Sequence, residues 1–323
     1  MTNHAEPAAG PTAGPGPDPA EQRRGALYGV AAYSLWGVFP LVFHQLRDVA
    51  AVEVLLHRIT WSFAIVVAVL AVRGDRAWLR LLRTGGEDRR RLVAAAGLIS
   101  VNWLVYVWAV AEGRVLEAAL GYYINPLVSV LLGVVLLHER LSRLQVVAIA
   151  LAAVAVGVLT VAYGQVPWIS LVLAASFGLY GYLKKAVRVT ALTSLAVETA
   201  VLVPIASVGL VVLEATGRAA FLRGSVGRDA LLLCLGAVTA APLLLFAASA
   251  RRVPLVLLGL LQYLTPTLQL VVGVAILGED LTPERLVGFV LVWVALVVLG
   301  ADAARSARRP ADDPVTGLTA DAT

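Results

Sequence analysis

The sequence predicts an all-α membrane protein, ten transmembrane helices arranged as two five-helix units inserted in opposite senses. Three observations predict it. Of 323 residues, 59% are hydrophobic and only 15% charged, with a mean hydropathy of +0.84, outside the range of soluble domains. Apolar runs close to the ~20 residues needed to cross a ~30 Å hydrocarbon core recur ten times. The chain also matches itself when shifted by 140 residues.

The spans fall at 26–46, 54–72, 92–111, 115–137, 144–163, 167–183, 194–213, 230–250, 253–277 and 286–301. The first contains "SLWGVFP", which sets Trp36, Gly37 and Pro40 near mid-depth. Gly37 permits close helix approach, and Trp36 offers either a stacking surface for a solute or plain packing. The second follows Glu53 and His57 with Arg58. An arginine costs about 2.5–3.5 kcal/mol at a helix centre and much less near an end, where it snorkels. Arg58 reads as close enough to an end to snorkel; pairing with Glu117 and a direct role in binding or gating are the alternatives. The third span reads "VNWLVYVW", with Asn102 and Tyr106 on one face at i, i+4. Asn102 either joins two helices by a hydrogen bond or faces a solute, while Trp103 and Trp108 read as packing or interfacial residues.

The fourth span carries Tyr122, Tyr123 and Asn125 directly before Pro126. Ser142 and Gln145 form an S-x-x-Q capping box ahead of the fifth. In the sixth, Ser176, Tyr180 and Lys184 follow i, i+4, i+8 and read as an interfacial face. Glu198 opens the seventh near its end, and Cys234 in the eighth reads as a buried, inert thiol. The ninth carries Gln262, Tyr263 and Thr265 before Pro266. Thr282 followed by Pro283 is the cap of the tenth.

Shifted by 140, the stretch 120–141 meets 260–281 with eight identities in 22 positions, among them Tyr123 on Tyr263, Pro126 on Pro266 and Glu139 on Glu279. The same shift sets Arg58 on Glu198 and Tyr106 on Phe246. This is an internal duplication. Each unit holds an odd number of spans, so the second enters the membrane upside down, as in secondary transporters. The division is 25–164 and 165–302, with a Pro- and Gly-rich disordered tail at 1–24 that lacks a signal-peptide core, and a second cytoplasmic tail at 303–323. A proline in a span removes a backbone donor and frees a carbonyl one turn earlier. Lipid tolerates this only where the backbone lines protein or a water-filled cavity. Matched breaks in two halves point to the transport site, with Pro126 and Pro266 as hinges.

With the N-terminus inside, 19 of the 26 basic residues face the cytoplasm and seven, such as Arg47 and Arg114, face outward. That bias orients the chain with both termini in the cytoplasm, and it accounts for the basic charge (+5) without nucleic acid. The two lysines, Lys184 and Lys185, lie outside any GxxxxGK[ST] loop, which excludes a P-loop ATPase. The four histidines form no metal-spaced pair, and there is no GxSxG elbow. A single cysteine excludes an intramolecular disulfide and a cysteine zinc cluster. The expected partners are the bilayer and a small-molecule substrate, with no cofactor and no enzymatic activity; a homodimer is left open.

The stretches "AYSLWGVFPLVF", "EVLLHRITWS", "NWLVYVWAV", "GYYINPL", "ERLSRLQ" and "QYLTPT" together resemble the drug/metabolite transporter superfamily, EamA family, and within it the RarD-type chloramphenicol-sensitivity permeases. The resemblance runs from about residue 25 to 300. It implies two inverted five-helix EamA-type repeats and a cytoplasmic-membrane permease moving a small organic solute through a cavity between them. Metabolites, amino acids and drugs are the solutes of the superfamily, and export is its common activity. Trp36, Arg58, Asn102, Tyr106, Tyr122, Tyr123, Asn125, Gln262, Tyr263 and Thr265 are the expected substrate-binding residues, on spans that rock about a midplane site. A channel or a non-transporting membrane scaffold is the alternative.

Overall fold

The computed structural model describes residues 19–137, 141–185 and 187–308. Among these residues it is helical with no strand. Nine helices are long and apolar enough to span a membrane, and a tenth apolar helix is shorter, at Trp168–Lys184. The molecule is an all-α, multi-spanning membrane protein.

The first span is two helices, α1 (Pro19–Gly37) and α2 (Phe39–His44). Pro40 sits in the first turn of α2, where its missing N–H costs no bond, so the chain breaks at Val38 and resumes. Helix α1 starts inside the stretch read as a tail, and Glu21 at its first turn pairs with Arg24 and Arg252. Next come α3 (Ala51–Val72), α4 (Ala77–Thr84), α5 (Gly86–Ala111), α6 (Val115–Leu137), α7 (Arg143–Tyr163) and α8 (Trp168–Lys185). The arginine-rich connection after α3 thus contains a short helix that hydropathy alone does not reveal. Helix α4 rests Trp78, Leu81 and Leu82 on Leu92, Val187 and Val197 and is amphipathic, as suits the membrane surface.

The second half runs α9 (Ala191–Ala215), α10 (Val226–Ala250), α11 (Leu255–Leu261), α12 (Leu264–Val271), a π-helical turn (Val272–Ile276) and α13 (Pro283–Arg308). The two expected proline breaks differ. Helix α6 continues through Pro126, whereas the ninth span is interrupted at Gln262–Tyr263 and Pro266 falls in the first turn of α12. Helix α13 extends past the expected end of its span; residues 1–18 and 309–323 of the tails lie outside the described residues. The Ser142–Gln145 capping box is formed as expected.

Spans pair in a pattern that survives exchanging the first five for the last five. Helix α7 packs on α13, α3 on α9, and α6 on α12. The contact of α1 with α10 has its counterpart in α5 with α8, α3 with α10 in α5 with α9, and α1 with α12 in α6 with α8. Close approaches depend on glycine. A Cβ on Gly37 would lie 2.6 Å from Leu268 of α12, and one on Gly236 would lie 2.4 Å from the Trp61 backbone of α3.

Apolar side chains point outward: Val161 is 83% exposed and Val297 72%. Glu53, His57, Arg58, Asn102, Glu198, Thr239 and Gln269 are buried. Lipid removes the hydrophobic drive between helices, so such polar groups and small residues hold the bundle instead. Cys234, expected to be buried, is exposed; its face of α10 points away from the bundle.

Candidate functional site

Arg58 stands seven residues into α3, about 10 Å along its axis, and opposite Thr239 near the middle of α10. It therefore does not snorkel. Its side chain is buried, 4% exposed, with Nε donating to Thr239 Oγ1 at 3.0 Å. The guanidinium lies 4.1 Å from the centre of the Trp103 ring, 5.5 Å from Phe43 and 5.8 Å from Phe39. Among the described residues no carboxylate comes within 4.0 Å of it and no acceptor is met by its two terminal nitrogens. Glu117, one expected partner, is held by Arg114 at 2.6 Å instead. Burying an unpaired ion costs several kcal/mol. Cation–π contacts return about 0.5–2 kcal/mol each, and the charged hydrogen bond about 1.5–3 kcal/mol. The rings and the threonine return an amount of the same order as that cost and leave four N–H donors unpaired.

From Arg58 a file of rings runs through Tyr106 and Tyr122 to Phe177, which is exposed, and Tyr180. Phe43 meets Tyr106 at 5.8 Å between centroids, Tyr106 meets Tyr122 at 5.8 Å, Tyr122 meets Phe177 at 6.2 Å and Phe177 meets Tyr180 at 5.9 Å. Its far end is an ionic group. The Glu198 carboxylate accepts from Lys184 Nζ at 3.0 Å, from Ser194 Oγ at 2.6 Å and from Tyr180 OH at 3.2 Å. On the face of α8 read as interfacial, Ser176 is buried and Tyr180 reaches Glu198, while the Lys184 side chain keeps 26% exposure.

The remaining residues divide into two roles. Asn102 donates from Nδ2 to Leu173 O and to Ser176 Oγ, each at 3.0 Å, and accepts from Tyr122 OH at 3.3 Å. Its amide is used in joining α5 to α8 and α6. Tyr123 OH bonds Thr267 Oγ1 at 2.7 Å beside Phe289 and Trp293, and Thr265 Oγ1 donates to Tyr33 O at 2.8 Å; both are packing contacts. Tyr263 packs at the edge of that same cluster, and Trp36 stacks with Tyr33 and Phe246. Gln269, which the sequence reading passed over, is 2% exposed and donates to Tyr106 OH at 3.1 Å. A lone glutamine in the run "LTPTLQLVV" was the available signal.

Asn125 Oδ1 is buried without a hydrogen-bond partner among the described residues, as are Ser62 Oγ and Gln269 Oε1. With Pro126, Ser129 and Val130, Asn125 lines one side of a cavity of about 480 Å³, facing Gln262, Gln145, Leu299 and Asp302. The cavity lies toward the end where α7 begins and α13 finishes. At the opposite end two carboxylates tie elements together through backbone amides, and Glu279 lines a smaller cleft of about 190 Å³. Glu53 accepts from the backbone N–H of Ala220 and Phe221 at 2.8–3.0 Å. Glu279 accepts from the first N–H groups of α6, Val115 and Leu116, as a helix N-terminus favours. Burial of Glu279 pushes its carboxyl above the ordinary carboxylate range, against those two hydrogen bonds.

Comparison with known proteins now decides the family. Residues 23–161 match the EamA-like transporter family. Protein RarD of Streptomyces exfoliatus is 50% identical over 291 residues, covering 90% of this chain and 92% of that protein. The chain belongs to the RarD-type branch of the EamA-like transporter family. An uncharacterised transporter of Pseudomonas aeruginosa is 44% identical, over 90% of this chain and 97% of its own. Protein RarD of Escherichia coli is 37% identical, over 90% and 99%. A solved structure described only as the crystal structure of a protein superposes with a TM-score of 0.59 at 19% identity, over 87% of this chain and 98% of that one. At that identity the likeness concerns the fold. The EamA match spans the first five apolar segments, and the buried polar file belongs to a multi-pass membrane transporter.

Proposed function

We propose that this EamA-type chain carries a small organic solute across the cytoplasmic membrane by alternating access, in the export direction, with both termini in the cytoplasm. The observation that carries the reading is the unequal closure of the bundle. One end holds a cavity of about 480 Å³ lined by Asn125 and Gln262, and the other is drawn together by Glu53 and Glu279 on backbone amides, with a smaller cleft of about 190 Å³ at Glu279. The halves 25–164 and 165–302 act as inverted repeats, and the exchange symmetry of helix pairings supports this. The shift that takes Glu279 to Glu139 takes Val115 and Leu116 to Leu255 and Val256 at the start of α11. The interruption at Gln262–Tyr263 and the proline-bearing turns of α6 and α12 are the pliable points. Trp36, Arg58, Tyr106, Tyr122, Asn125 and Gln262 face the solute. Asn102, Tyr123, Tyr263 and Thr265 position the helices around it.

The test is counterflow in liposomes with a labelled panel of amino acids and amphenicols, comparing wild type with Asn125→Ala. Saturable counterflow that falls at least tenfold in the variant is the expected result. Flux that never saturates would make the protein a channel, and no flux for any solute would favour a scaffold.

A further inference from the structure

Arg58 is the buried cation in the described interior that no acidic side chain approaches. Its surroundings specify what does. The Nε hydrogen is taken by Thr239, which leaves the two terminal nitrogens, the fork that matches a planar carboxylate with two parallel bonds. One guanidinium neutralises one negative charge. Lys184, at the far end of the aromatic file, is committed to Glu198, so a doubly charged phosphate finds no second cation beside Arg58. The walls are the rings of Trp103, Phe43 and Phe39, which suit an apolar or aromatic body. The polar groups nearest along the file are the hydroxyls of Tyr106 and Tyr122, beyond Phe43. No acid within 4.0 Å of Arg58 stands ready to receive an ammonium group: Glu53 is spent on Ala220 and Phe221, and Glu117 pairs with Arg114 and lines the cleft at Glu279.

We infer that Arg58 is the anion-binding residue of this transporter and that its solute is a small organic monocarboxylate with an apolar or aromatic body. The inference rests on the transport reading above for its biological meaning, but binding is measured separately from flux. At 4% exposure the residue is nearly covered, so the solute reaches the guanidinium as the rings part. A buried charge with no counter-ion is costly to a fold and is retained where a ligand completes it.

The experiment is equilibrium binding to the purified full-length protein in detergent, followed by thermal shift and by calorimetry. The probes are benzoate, benzamide, benzylamine, phenyl phosphate and phenylalanine. Benzoate is expected to bind saturably and raise the melting temperature, with benzamide and benzylamine at least tenfold weaker. Arg58→Gln is expected to lose at least tenfold in benzoate affinity while leaving the benzamide response unchanged, and Arg58→Lys to recover part of it. Should Arg58→Gln not fold, Thr239→Val, which frees Nε and lets the fork turn, is expected to weaken benzoate several-fold. Equal binding of benzoate and benzamide, no benzoate binding, or unchanged affinity in Arg58→Gln each overturns the proposal. Tighter binding of phenyl phosphate or phenylalanine replaces the monocarboxylate with a phosphate ester or an amino acid and overturns the class stated. Benzoate binding without flux in liposomes sinks the transport reading and leaves Arg58 as the anion site. Saturable flux of a neutral solute, untouched by Arg58→Gln, does the reverse.

Discussion

At the scale of residues, the interior shows how one residue type takes opposite parts. Asn102 and Asn125 both sit inside spans, yet the first spends its amide on Leu173, Ser176 and Tyr122, while the second lines a cavity and buries an unpaired oxygen near Gly178. Sequence supplied the two candidates and could not separate them, because their partners lie on other helices. Arg58 and Glu117 illustrate the same limit. Glu117 is three residues from Arg114, a spacing at which helical neighbours meet, and it pairs there. Glu53 carries a further expectation. It is 1% exposed and receives Ala220 and Phe221 amides. Glu53→Ala leaves those donors without an acceptor and should destabilise by about 1–3 kcal/mol. A melting temperature equal to wild type would show that water replaces the carboxylate.

At the scale of elements, length and hydropathy locate the spans, and local chemistry locates their caps. The interruptions are another matter. Pro126 and Pro266 occupy equivalent sequence positions, yet α6 continues through the first while the ninth span is broken before the second. A proline's missing bond can be absorbed in a helix or end it, according to what packs alongside. Helix α4 is too short and too charged to register as a span, and the π-turn at Val272–Ile276 lies within an apolar run that gives no sign of it. The contact of α3 with α10 depends on Gly236, where an added Cβ meets the Trp61 backbone. Gly236→Ala should cost about 1–3 kcal/mol through overpacking, and it lies one turn from Thr239, the partner of Arg58. Gly227→Ala, on the same helix with nothing within 4 Å of the added Cβ, is the control. Similar melting temperatures for the two variants would refute the close-approach argument.

At the scale of the whole molecule, the closed end reports on pH through Glu279. The groups facing it are Arg285 from α13, Glu117 from α6, and Arg114 and Gln165 across the small cleft they share. Burial raises its pKa above that of a carboxylate in water, so the closed, folded state holds the proton more firmly than a state exposing Glu279. Its stability is greatest below the ordinary carboxylate range and declines as pH rises through the raised value. Glu279→Gln carries no such charge. The variant should therefore gain melting temperature relative to wild type near neutral pH, and the difference should shrink as pH falls. A difference independent of pH between 4 and 7 would remove Glu279 from the titration of the closed end.

Several features of this protein were settled by its sequence alone. Ten apolar segments, the capping box at Ser142, the 140-residue self-similarity and the ordered family stretches all depend on neighbours in the chain or on the bilayer. A membrane makes that dependence strong, since a backbone without water must satisfy itself within each segment. Which face of a helix turns inward, and what a buried polar group meets there, were decided only by tertiary structure. Arg58 meets Thr239 across 181 residues and Asn102 meets Ser176 across 74. Cys234 faces outward and Gln269 inward, although both interrupt equally apolar runs. In spans that are hydrophobic on every side, periodicity carries no direction, and the packing of other helices supplies it.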